Sequence, residues 1–232
     1  MRLRIAVVGV AIAGLMIAAV PAWAKPTAKL IKVDVFQQGG KGKPAPATAN
    51  CSNDGATKGL YKLTGWAVQG DKTAHLTMST VPSNIASGVQ TALQASFDAW
   101  NASGVPRITV ATNGTVTRYT ANHSYDLLWG RTGGSSIAVT YTWRWSNGEI
   151  ESDTVFNSGL AWGIVPESGD GCNEAYAVYD VANIATHEFG HTYGVDHPGD
   201  DRFETMYAYG YTGETLKRSI GSGDALAINA IY

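Results

Sequence analysis

"HEFGHTYGVDH" occupies residues 187 to 197 of the 232-residue chain, and its spacing decides how the surrounding sequence is to be folded. Residues four apart on an α-helix share a face, about 5–6 Å apart at Cβ, so His187 and His191 point the same way. His197 would lie roughly 15 Å further along the axis than His187 if the helix continued, too far for all three to meet. Gly194 resolves the mismatch, because glycine accepts the left-handed conformation that ends a helix and turns the chain back. The glycine and the third histidine explain each other.

Three neutral imidazoles suit a tetrahedral zinc ion with one position left for water, which distinguishes a catalytic site from a closed structural one. A metal in that position can lower the pKa of water from 15.7 to about 7. Glu188 follows His187 directly, so it leaves the ligand row by about a quarter-turn and is placed to act as general base. HExxH alone is a modest signal. Requiring Gly194 and His197 as well makes a chance match about 400-fold rarer.

Working outward, Asp180 is placed to cap a helix whose buried stripe contains Val181, Ile184 and Ala185. Upstream, "AHLTMS" (74–79), "RITVAT" (107–112), "YDLLWG" (125–130), "SIAVTYTWRW" (136–145) and "EIESDTVFN" (149–157) read as strands, with a Ser-Asn-Gly turn at 146–148. "PSN" precedes Ile85, Val89, Leu93, Phe97 and Trp100, an amphipathic helix that should stop near Gly104 and Pro106. "SGDALAINAIY" (222–232) supplies a last helix. The order implies an α+β arrangement with α/β-like layers and three helices.

The first 24 residues have the anatomy of a cleaved secretory leader: Arg2 and Arg4, an apolar run from Ile5 to Val20, and Ala22 and Ala24 around Trp23. The expected location is therefore extracellular, with no membrane association after cleavage. Residues 25–60 form an N-terminal extension in which "QQGGKGKPAPATAN" reads as a linker or loosely held arm; a removable pro-segment is the other reading. The compact domain is expected at 61–232. Cys51 and Cys172, in an oxidising compartment, read as one disulfide, against the alternative of a Cys51 thiolate capping a zinc ion. The net charge of −2 and the absence of a basic cluster exclude nucleic acid as an expected partner. A single chain acting as a monomer is the expected unit.

The extended HExxHxxGxxH pattern resembles the metzincin metallopeptidases, and Met206 in "FETMYAYG", nine residues after His197, has a spacing similar to the Met-turn of the matrixin branch, including its secreted bacterial-type members. "LQASFDAW", "EIESDTVFN", "GVDH" and "GDALAINAIY" look like that branch as well. The resemblance implies a twisted, mostly parallel five-stranded sheet, a small C-terminal subdomain after Gly194, and an antiparallel edge strand near 136–143 that pairs with a peptide substrate. It also implies that Tyr207 lines the wall of a substrate side-chain pocket. The matrixins' second, structural zinc is not carried over, since only His75 and His123 remain outside the motif. Calcium is conceivable among Asp153, Asp170, Glu174 and Asp200, but no loop has a recognisable ligand spacing.

The function implied is a secreted zinc endopeptidase acting on proteins or peptides, with one catalytic Zn2+. A catalytically silent, zinc-stabilised binding or adhesion module on the same scaffold is the alternative. The presence of Glu188 argues against the silent module.

Overall fold

The computed structural model describes residues 28–39, 59–133, 135–166, 176–199 and 201–232. The expected leader, the Cys51–Cys172 bridge, and Asp170, Glu174 and Asp200 lie outside the described residues. The strands are β1 Leu30–Gly39, β2 Lys62–Leu63, β3 Lys72–Leu76, β4 Ile108–Ala111, β5 Tyr125–Gly130, β6 Ser136–Trp145, β7 Ile150–Asn157, β8 Trp162–Gly163, β9 Tyr179–Asp180 and β10 Val195–Asp196. The helices are α1 Val89–Asp98, α2 Val181–Tyr193 and α3 Ser222–Ile231.

The expected five strands are present as β6-β7-β5-β3-β4, with β6 antiparallel to β7 and the other pairings parallel. The sheet nevertheless has six strands, because β1 pairs antiparallel with the outer side of β6 from Leu30↔Trp145 to Gly39↔Ser136. Two expectations are corrected by this. Part of the N-terminal arm is a strand, and β6 is not a free edge for an incoming peptide.

Successive residues of a strand point to opposite faces, which sorts β6 and β7 into two rows. Thr140 opposes Thr154 and Thr142 opposes Ser152 on the face that meets α2, where Thr140 touches Glu188 and Ser152 bonds Thr192. Tyr141 opposes Asp153 and Trp143 opposes Glu151 on the other face, beneath the segment that carries Thr120 and Asn122.

Helix α2 is buried almost throughout, because α1 packs on it from one side and the sheet from another. Phe97 stacks on Phe189 with centroids 3.6 Å apart, and Trp100 Nε1 donates to the carbonyl of Thr186 at 2.8 Å. Each such aromatic contributes on the order of 1.5–3 kcal/mol by leaving water. Helix α1 begins later than its apolar spacing suggests. Residues 82–88 form tight turns instead, and a Cβ on Gly88 would lie 2.5 Å from Ile164 Cδ1. After α2 the chain reverses into β10, which pairs antiparallel with β2, and α3 closes the domain. Its end is pinned by Tyr232, whose hydroxyl donates to the carbonyl of Tyr193 at 3.1 Å and accepts from Val68 N at 3.0 Å. Among the described residues, no helix is long and apolar enough to cross a membrane.

Candidate metal centre

Helix α2 is anchored at the end that precedes the histidines. Asp180 caps it by accepting from Asn183 N at 2.8 Å, as its position predicts. The same carboxylate is clasped by Arg218, with Nε 2.8 Å from Oδ2 and Nη2 2.7 Å from Oδ1. At the far end Gly194 takes φ +102° and ψ 15°, and its N–H bonds back to the carbonyls of Gly190 and His191. A Cβ at Gly194 would overlap the carbonyl oxygen of Trp66, so the turn demands glycine on grounds of both conformation and space.

That reversal brings His197 back to the helix. Its Nε2 lies 3.1 Å from Nε2 of His187 and 3.2 Å from Nε2 of His191. The opposite ring nitrogens are committed elsewhere: His187 Nδ1 to the carbonyl of Thr205 at 2.7 Å and His191 Nδ1 to the carbonyl of Val195 at 2.8 Å. A carbonyl only accepts, so both Nδ1 atoms carry the proton and both Nε2 atoms present lone pairs. One proton on His197 could satisfy one of them, not both. Lone pairs converging so closely repel unless a cation lies among them, and this is the physical fit of the site to a metal ion.

Burial pushes all three imidazoles towards the neutral form that ligation needs. His187 and His191 are held well below the usual histidine range by desolvation, and His197 is lowered to about 4 by the same cause, with Asp196 opposing it. Among the described residues, His187, His191 and His197 form the one group of three or more metal-ligating side chains within reach of a single ion. The two remaining histidines are engaged elsewhere. His75 Nδ1 bonds Asn113 Oδ1 at 2.7 Å, and His123 pairs with Glu149 at 3.0 Å while stacking on Trp145.

Glu188 is fully buried, and one side of its carboxylate is held: Thr140 Oγ1 lies 2.6 Å from Oε2. Its Oε1 is buried and has no hydrogen-bond partner among the described residues. Desolvation raises its pKa to about 8, while the Thr140 bond and the charge of Lys217 pull it down. A divalent cation at the neighbouring histidines would favour the ionised form further.

Met206 is fully buried beneath α2. Its turn is organised by α3: Asp224 accepts from Thr205 N at 2.6 Å, from Met206 N at 3.3 Å and from Gly221 N at 2.9 Å. Because the carbonyl of Thr205 receives the His187 proton, Asp224 orients His187 through one intervening residue. Gly190, between the two helical histidines, is packed so closely that a Cβ would overlap the sulfur of Met206 and lie 2.6 Å from Trp100 Cζ2. Tyr207 follows on the same turn. Its carbonyl accepts from the buried Lys217 Nζ at 2.5 Å, as does that of Tyr209 at 2.8 Å.

Asp153, the one described member of the acidic set considered for calcium, is engaged by backbone N–H groups. Its oxygens accept from Asp126 N at 3.1 Å and Thr120 N at 2.9 Å on the face of the sheet away from α2, and burial raises its pKa to about 8. Thr140, Gly190, Thr205 and Asp224 were not singled out by sequence reasoning. Only Asp224 had a local signal, an acid in the first turn of a helix.

Comparison with protein-family models gave no match, and comparison with curated proteins gave none either. What is established is a mixed α+β fold carrying a histidine triad, two of its members buried and His197 half-buried, able to hold a metal ion.

Proposed function

We propose that the chain is a secreted zinc-dependent endopeptidase with a metzincin-type catalytic domain, nearest the matrixin branch. The observation that carries this reading is a buried carboxylate with one free oxygen, one residue along the helix from a triad of converging imidazole lone pairs. A structural site has no use for such a carboxylate. Zinc suits the ligand set, because bonds of about 2.0–2.1 Å in a tetrahedron place ligand nitrogens roughly 3.4 Å apart, close to the separations found here.

His187, His191 and His197 would hold the ion, which when bound supplies Lewis acidity that acidifies water and polarises a peptide carbonyl. Glu188 takes the water proton on Oε1 as the C–O bond forms, and returns it to the amide nitrogen as the C–N bond breaks. Thr205 and Val195 hold the imidazole protons and keep the lone pairs directed inward. Met206 gives the triad a packed floor, and Tyr207 is proposed as part of the wall that receives a substrate side chain.

The reading includes latency. A peptide bound for cleavage would pair with β6, the strand whose Thr140 touches Glu188, and β1 already holds that edge along its length. Removing residues 1–60 would free it.

The test is cleavage of casein or a peptide library by chain beginning at residue 61, alongside metal analysis. The expected result is cleavage abolished by a chelator and restored by zinc. A fully zinc-loaded, truncated protein that cleaves nothing across a broad library would overturn the peptidase reading in favour of a silent binding module.

A further inference from the structure

The rows of β6 and β7 that face α2 contain a polar patch where an interface of sheet and helix would gain more from apolar side chains: Thr140, Thr142, Ser152 and Thr154 are all buried. Ser152 is matched by Thr192 at 2.9 Å, one helical turn beyond Glu188. Thr140 has three oxygens in reach: Glu188 Oε2 at 2.6 Å, Thr154 Oγ1 at 3.2 Å and the carbonyl of Glu188 at 3.3 Å. A hydroxyl has one proton to give, and the shortest of the three contacts is to the carboxylate. Thr154 can in turn donate to Thr140, so two hydroxyls form a chain polarised towards Glu188.

We infer that Thr140 is the positioning residue for Glu188: its hydroxyl pins Oε2 to β6 and thereby leaves Oε1 as the oxygen presented for proton transfer. A carboxylate on three rotatable single bonds would otherwise turn between equivalent oxygens and adjacent rotamers, and a misplacement of about 1 Å can cost on the order of 10²-fold in rate. The arrangement also couples the base to the strand that borders the site. Its catalytic meaning rests on the peptidase reading, whereas the physical coupling does not.

Two measurements on the protein as secreted separate these. In kinetics, Thr140→Val, which keeps shape and removes the hydroxyl, should lower kcat by about 10–100-fold with KM within about threefold. Bound zinc should be unchanged, and Thr140→Ser should recover most of the loss. In urea unfolding of the metal-free protein, Thr140→Val should lower the midpoint when Glu188 is present and leave it unchanged or raised in a Glu188→Ala background, because only the first case strands a buried carboxylate oxygen. Equal midpoint shifts in both backgrounds, an undiminished kcat, or a loss of zinc with Thr140→Val would overturn the inference. Should the valine variant not fold, Thr140→Ala read against Thr140→Ser makes the same comparison. Absence of any turnover in the parent chain, with the unfolding coupling intact, counts against the peptidase reading alone.

Discussion

The central sheet buries carboxylates on both of its faces, and they are finished differently. On the face away from α2, Asp153 accepts backbone N–H bonds on both oxygens, and Glu151 accepts from Asn122 N at 2.6 Å and Trp145 Nε1 at 2.9 Å. On the α2 face, Glu188 has Oε2 held by Thr140 and Oε1 open. Burial raises the pKa of all three, so a shifted pKa does not distinguish them. The distinction lies in whether the polar atoms are closed off. A carboxylate satisfied on both oxygens ties a loop to a sheet, whereas Glu188, left half open beside a lone-pair triad, is the one proposed to react.

The largest contrast should come from removing each acid in turn. Glu188→Ala is expected to lower kcat/KM by about 10²–10⁴-fold with zinc content intact, measured by peptide cleavage and metal analysis. Asp153→Asn should leave turnover within about twofold, since it touches neither the triad nor Glu188. Similar losses in the two variants would break the comparison.

Next in size is the triad itself. Gly194→Val forces a β-branched residue into a left-handed turn and against the Trp66 carbonyl, displacing His197. Zinc affinity, titrated against a competing chelator, should fall by at least about 10–100-fold. Unaltered affinity would refute the account of Gly194.

Release of the β6 edge should act in the opposite direction. Chain beginning at residue 61 is expected to have kcat/KM roughly tenfold or more above that of chain beginning at residue 25, the factor being the reciprocal of the fraction of molecules in which β1 has left the edge. Equal rates would mean that β1 does not stand in the way of substrate and that the latency reading is wrong.

The smallest effect is on stability against pH. The folded pKa of Asp153, about 8, lies above its unfolded value near 3.8, so the folded state holds more protons between them. Its contribution is therefore fully present below about pH 4 and lost as pH rises through about 8. Asp153→Asn should flatten the decline in urea midpoint over that window, and an unchanged slope would mean that other groups set it.

Much of the site was legible because its determinants are local. The helical pair, the glutamate beside it and the glycine that returns His197 all fall within eleven residues. The strands β5 and β6 were legible at both ends because their composition changes sharply at the Gly and Ser-Asn-Gly boundaries. What was hidden depends on partners distant in sequence. The alternation of Lys32, Val33, Asp34 and Val35 is short and runs into a Gly- and Lys-rich stretch, and only β6, about a hundred residues later, makes it a strand. Thr140 reads as an ordinary strand threonine until α2 is laid across it. The two-residue strands β2, β8, β9 and β10 exist only through their pairing in the fold. Helix α1 shows the converse: its apolar spacing from Ile85 is regular, yet the close approach of Ile164 to Gly88 favours a turn there.

Gly190 carries one further consequence. With no side chain of its own, it lets Met206 and Trp100 press directly on the backbone of α2, as a key sits in the slot of a shaft. The helix can neither rotate about its axis nor slide along it without displacing that sulfur and that indole, so the aim of His187 and His191 is indexed by two residues that never touch the ion. Heating should therefore loosen the aim of the two histidines only when the packing around Met206 melts, and metal release and loss of tertiary structure should coincide at one temperature.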